Sequence, residues 1–135
     1  MDIEKALAAS ARGMDAQTAR LRVIAENLAN QDTTGSTPGA DAYRRKTITF
    51  ENRVDRALGT DTVRVKAIDV SRGDLPQRYD PSHPAADDKG YVRVSNVNNF
   101  VEIMDMREAQ RSYSANLNVL EATRTMLTRT IDLLK

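Results

Sequence analysis

VNNFVEIMDMREAQRSYSANLNVLEATRTMLTRTIDLLK, residues 97–135, sets its apolar side chains at alternating steps of three and four. Counted from Ile103, the series runs Ile103, Met106, Gln110, Tyr113, Leu117, Leu120, Arg124, Leu127, Ile131 and Leu134, and only Gln110 and Arg124 break its apolar character. That spacing is the heptad pattern of a coiled coil. The stretch lacks Pro and Gly and is rich in Leu, Met, Glu, Arg, Ala and Gln, all good helix formers, so one unbroken helix is expected. Asn99, with Glu102 three residues on, has the form of a capping box and places the helix start there. From Ile103 to Leu134 the rod spans roughly 48 Å at about 1.5 Å per residue. A single helix cannot bury such a seam by itself.

Ile3 to Asn30 has the same period: Ile3, Leu7, Ser10, Met14, Gln17, Leu21, Ile24 and Leu28. Gly13 costs about 1 kcal/mol relative to Ala in a helix, and it leaves room for another backbone to approach. Alanines around the seam reduce its girth and favour close helix packing. Asn30 is expected to end the helix in a left-handed conformation, before the turn-forming run Gln31-Asp32-Thr33-Thr34-Gly35.

Between the two helices the period changes. Thr47-Ile48-Thr49-Phe50 and Val63-Arg64-Val65-Lys66-Ala67 alternate as half-buried strands do, and Tyr91-Val92-Arg93-Val94 is a third candidate. Ile68-Asp69-Val70 shifts the alternation by one, as at a bulge or strand end. Glu51 to Leu58 fits either an extension of the first strand or a short helical turn. Asp80-Pro81-Ser82-His83-Pro84 and Asp87-Asp88-Lys89-Gly90 are turn chemistry. The expected fold is α+β, with two long terminal heptad-patterned helices packed as an antiparallel coiled coil around a small β-rich insertion. Its segments are 1–30 (N-terminal helix), 31–96 (loop and insertion) and 97–135 (C-terminal helix).

Composition narrows the function. The 135 residues carry a formal charge of +1 with both signs interspersed, and aromatics make up 4% without any Trp, a poor basis for nucleic-acid binding. No Cys is present, so thiolate metal sites and thiol nucleophiles are ruled out. The first residues lack the layout of a cleavable secretory signal, and no apolar run reaches membrane-spanning length. His83 is the only histidine. Pro81 and Pro84 flank it in an extended turn that points its side chains away from Asp80, Asp87 and Asp88. Asp80 is better explained as a turn residue whose carboxylate bonds the following backbone. Neither a metal site, a cofactor site nor a catalytic set is expected. Arg44-Arg45-Lys46 has acids nearby at Asp41 and Glu51, so a solvated or intersubunit ion-pairing edge is expected there and not a phosphate clamp.

Four stretches together resemble the family of the proximal-rod protein of the bacterial flagellar basal body, FlgC. They are Asn27-Leu28-Ala29-Asn30 with the Thr and Gly that follow; Ala42-Tyr43-Arg44-Arg45-Lys46; Asp80-Pro81-Ser82-His83-Pro84 through Asp87, Gly90, Tyr91 and Val92 into Asn96-Val97-Asn98; and Met106, Ala109, Arg111-Ser112-Tyr113 and Asn116. The resemblance runs from about residue 5 to the end. Ser95 stands where the family has Pro, and Asp41 interrupts its Gly-rich loop. The resemblance implies a structural subunit, not an enzyme, exported without a cleaved signal through the flagellar type III apparatus. It would polymerise in the periplasm with copies of itself and with other proximal-rod, distal-rod and rod-base subunits into a torque-transmitting shaft required for motility. Residues expected at subunit interfaces are Leu7, Met14, Leu21, Ile24, Asn27, Leu28 and Asn30 on the first helix. On the second they are Met106, Tyr113, Asn116, Leu117, Leu120, Leu127 and Ile131. The residues alone also fit a cytosolic coiled-coil adaptor, and at family level a sister flagellar axial subunit. Because the seams need partners, the terminal helices of a dilute monomer are expected to fray.

Overall fold

A computed structural model describes residues 3–135, and its elements are α1 (Ile3–Ala29), β1 (Lys46–Asp55), β2 (Thr60–Val70), β3 (Gln77–Tyr79), β4 (Tyr91–Arg93) and α2 (Asn99–Leu133). Met1 and Asp2, which open the expected 1–30 segment, lie outside the described residues. Two helices with two small strand pairs between them make the α+β architecture. β1 and β2 form a hairpin, and β3 pairs antiparallel with β4 through Gln77↔Arg93, Arg78↔Val92 and Tyr79↔Tyr91.

The ambiguity over residues 51–58 resolves in favour of strand, since β1 continues to Asp55 before a tight turn. There the Asp55 carboxylate accepts from Ala57 N and its carbonyl from Gly59 N, with Gly59 at φ 62°. β2 also runs past the shifted alternation to Val70. Ile68, Asp69 and Val70 are all exposed, so no buried face there penalises the change of phase. β3 escapes the sequence pattern because three exposed residues, Gln77-Arg78-Tyr79, carry no hydrophobic alternation.

α2 is a single 35-residue helix, as its composition predicts. Its cap lies one residue earlier than expected. The Asn98 side chain accepts from Phe100 N at 3.0 Å and Val101 N at 3.3 Å, so Asn98, not Asn99, is the N-cap. Glu102 does not turn back to complete a capping box, because its carboxylate has other partners. α1 ends near Asn30 without the left-handed residue expected there, since among the described residues only glycines have positive φ. Instead the Asn30 amide donates back to Glu26 O at 2.9 Å, satisfying an end carbonyl from the side chain.

The chain divides into two compact units. One holds α1 up to Leu21, Ile48–Ala67 and Met106–Lys135. Within it Gly13 abuts Asn116 and Arg20 reaches Glu108 at 3.4 Å, so the helices pass in opposite directions. The inward-facing line on α2 is Met106, Ala109, Tyr113, Asn116, Leu120 and Thr123, with Ala109 fully buried, and on α1 it is Ser10, Gly13, Gln17 and Arg20, with the buried Ala16 beside it. Both lines step by three and four. Each shares alternate positions with the apolar series in the sequence and is offset by one residue at the rest. The small or polar side chains of Gly13, Ala109, Asn116 and Thr123 therefore face inward, while Leu117 keeps 37% of its surface exposed and Ile131 48%.

The other unit holds Arg22–Thr47 and Ile68–Asp105. Its core is Val23, Ile24, Ala42, Ala85 and Val92, with Asn27 and Glu102 buried beside them. Tyr79 and Tyr91 meet edge to face at 5.4 Å. Gly90, at φ 85°, lies so close to Tyr79 and Pro81 that a Cβ would stand 2.9 Å from the Tyr79 ring, so both conformation and space call for glycine.

Candidate functional site

In the second unit the last turns of α1, the returning loop and the first turn of α2 meet around one amide. α1 turns Asn27 inward, where it is almost wholly buried. A buried amide is stable only if its hydrogen-bonding capacity is met, and Asn27 meets all of it. Its Oδ1 accepts from Lys46 N at 2.9 Å and from the Tyr43 hydroxyl at 2.9 Å. Its Nδ2 donates to Lys46 O at 2.9 Å and to Glu102 Oε2 at 3.3 Å. The side chain thus pairs with Lys46 in both directions, as a neighbouring strand would, at the point where β1 begins.

Glu102 is completely buried, an expensive place for a carboxylate unless it is paired and hydrogen-bonded. Arg45 Nε donates to its Oε1, and Asn27 supplies the other oxygen. The same guanidinium reaches Asp105 at 3.4 Å, and the Arg45 backbone N donates to Asn96 Oδ1 at 2.7 Å. Lys46 Nζ pairs with Glu26, and this pairing holds the ammonium above its ordinary pKa. Burial pushes the Tyr43 phenol upward, helped by the nearby Glu26 charge. Arg44 donates to the carbonyl oxygens of Ser71 and Gly73 and pairs with Asp41. The basic triplet expected at a solvated or intersubunit edge is thus engaged within the chain.

The loop after α1 is fixed by the same residues. Thr33 Oγ1 donates to Asn30 Oδ1 at 3.2 Å, Thr33 N to Asn30 O, and Tyr43 N to Thr33 O at 3.0 Å. Thr34 Oγ1 lies 3.1 Å from His83 Nε2, and Ala85 N donates to His83 Nδ1 at 3.0 Å. Since Nδ1 accepts, Nε2 carries the proton and donates to Thr34. His83 therefore ties the loop to the proline turn. Asp80 accepts from the Ser82 hydroxyl, and Asp87 accepts from the backbone N of Lys89 and Tyr91. The first of these differs from the backbone bond expected of Asp80. Among the described residues no group of acids and histidine is placed to hold a metal ion, and none of the helices is long and apolar enough to cross a membrane.

The expected interface residues fall into three groups. Ile24 and Asn27 are buried; Leu7, Met14, Leu21, Leu28, Asn30, Met106, Tyr113, Asn116 and Leu120 are half-buried; Leu117, Leu127 and Ile131 are exposed. Asn27 has no capacity left for a partner, so any part it takes in assembly runs through the loop it holds. Glu102 is the member of this junction that sequence reasoning missed, along with its pairing to Arg45, which stood out only as part of the basic triplet. The signal was present: stepping back four residues from Met106 reaches Glu102, an acid on an inward line, and a basic residue must then face it.

A family profile described as flagella basal body rod protein matches residues 7–37. A second, the C-terminal region of the flagellar basal body rod FlgEFG proteins, matches residues 88–133. The flagellar basal-body rod protein FlgC of Agrobacterium fabrum is 53% identical over 91% of this chain and 88% of its own length. Its counterpart in Escherichia coli O6:H1 is 40% identical over 89% of each chain, and that of Borreliella burgdorferi is 33% identical over 100% of this chain and 99% of its own.

Proposed function

The chain belongs to the FlgC family of flagellar basal-body rod proteins, and we propose that it is a structural subunit of the proximal rod that polymerises through its terminal helices. It acts by assembly, not catalysis. In the rod the paired helices complete an antiparallel coiled coil whose outer faces are covered by neighbouring copies and by other rod subunits. The position is periplasmic, reached through the type III export apparatus without a cleaved signal. Contacts of this kind are heterologous and do not close on themselves, so each subunit both offers a surface and receives one. Many such lateral contacts between long helices resist shear, which a torque-transmitting shaft requires.

The observation that carries this reading is the end of α2. Every residue from Arg124 to Lys135 is exposed, and Met126, Leu127, Ile131, Leu133 and Leu134 stand among them. Five large apolar side chains grouped at one helix end are a surface for burial against another protein. Replacing Leu127 and Ile131 together by Asp leaves the chain's own buried line untouched and places unpaired charge in the proposed interface. In a host lacking its own copy, the doubly substituted gene is expected to give non-swimming cells whose purified basal bodies, viewed by electron microscopy, stop short of a rod. The intact gene is expected to restore both. Normal rods in the substituted strain would overturn the reading.

A further inference from the structure

We infer that the cleft between α1 and the tip of the β1–β2 hairpin receives an acidic segment of a partner protein. It lies within one compact unit, encloses about 710 Å³, and is lined by Arg12 of α1 and by Arg53, Arg56 and Arg64 of the hairpin, with Asp55 as its one acid. Arg64 is paired with Glu51, and the Asp55 carboxylate accepts from Ala57 N. Arg12, Arg53 and Arg56 have no ion-pair partner among the described residues. Elsewhere Arg20, Arg44, Arg45, Arg78 and Arg93 each meet an acid, whereas these three arginines line one cleft together. Gathering three uncompensated guanidiniums around a cleft costs Coulomb energy that an entering anion offsets.

The chemistry of the lining selects among anions. Val54, Ala57 and Val63 lie among the arginines, so the wall alternates charged forks with apolar patches. A guanidinium holds a carboxylate through two parallel hydrogen bonds, and the apolar patches suit the methylene stems of Glu side chains. The volume exceeds what one inorganic anion fills and suits several side chains. No aromatic ring lines the cleft to stack on a base. The hairpin itself is a two-stranded ribbon, an element of marginal stability when alone, and Val54 at its tip is 57% exposed. An acidic segment laid across the tip would compensate the charge and cover this side chain together.

This surface is separate from the end of α2, and it can be tested on the isolated full chain. The probe is fluorescein-labelled hexaglutamate, followed by anisotropy. The wild-type chain is expected to bind it, more weakly as salt rises, and to leave labelled hexalysine unbound. Arg53→Ala with Arg56→Ala is expected to weaken binding by about tenfold or more, while Arg107→Ala with Arg111→Ala, on the exposed face of α2, leaves it unchanged. Equal loss in both pairs, or equal binding of hexalysine, would overturn the inference, and the hexalysine comparison needs no variant to fold. Arginine-dependent binding of pyrophosphate without binding of hexaglutamate would assign the cleft to phosphate and overturn it as well.

Discussion

Asn27 is the residue on which the end of α1, the start of β1 and the start of α2 depend together. Its amide satisfies both backbone groups of Lys46, the Tyr43 hydroxyl and one oxygen of a buried carboxylate, and no water-exposed alternative exists for a side chain 1% accessible. Asn27→Asp keeps the shape, removes both donors, and sets a second carboxylate against Glu102. Breaking a buried, charge-coupled network in this way is expected to destabilise the fold by about 3 kcal/mol or more, read as a lower midpoint in urea. A midpoint within experimental error of the wild type would show that the junction is not what holds the loop. Asp87 gives a second prediction at this scale. The Tyr91 N–H, and after it the Lys89 N–H, hold its carboxyl below the ordinary value of 3.8. A depressed acid contributes stability that is fully present above 3.8 and lost as pH falls through the folded value. Acid titration followed by NMR is therefore expected to move the Lys89 and Tyr91 amide signals only below pH 3.8. In Asp87→Asn that acid-dependent movement is expected to vanish.

At the level of elements, the helix pair turns on Gly13. A Cβ there would stand 2.8 Å from Asn116 Nδ2 and 3.0 Å from its Cγ, so what approaches this glycine is a side chain and not the backbone its composition suggests. Asn116 is held by its bond to Ser112 O at 3.0 Å. Gly13→Ala gains about 1 kcal/mol of helix propensity but must push that amide aside. Alone the substitution is expected to be neutral or destabilising; in an Asn116→Ala background it is expected to stabilise by up to about 1 kcal/mol, a coupling that a double-mutant cycle in urea measures. Additive effects would mean the two helices do not meet here. The same pair explains what the sequence could and could not convey. The three-four period made α1 and α2 legible, and alternation located β1, β2 and β4. The inward line of each helix was half legible: Met106, Tyr113 and Leu120 lie on both series, but at the alternate positions a heptad count follows the largest apolar side chains. Close packing between these helices instead selects the smallest, Gly13 and Ala109, and leaves Leu117 outside. The Asn27 junction was half legible: its Asn, Tyr and basic residues stood out, but the buried acid that joins them looked like a helix cap.

For the whole molecule, the end of α2 divides what this chain can stabilise alone from what it leaves to others. From Arg124 onward no side chain is buried, so helix there depends on local bonding alone. The local sequence is weak for that purpose. Thr125, Thr128 and Thr130 bond the carbonyls of Glu121, Arg124 and Met126 four residues back, an arrangement that competes with the backbone ladder, and β-branched residues are poorer helix formers than Ala or Leu. Ordering each residue costs about 1 to 2 kcal/mol, which burial against another chain must offset. In a dilute solution of the protein, amide hydrogens of residues 124–135 are therefore expected to exchange near the rate of an unfolded chain, while those around Ala109 and Asn27 stay protected. In basal bodies the proposed assembly covers Leu127 and Ile131 with neighbouring subunits, and the same segment is expected to exchange slowly there. Strong protection of this segment in the monomer would show that the helix end needs no partner, and its apolar residues would then have to be explained without assembly.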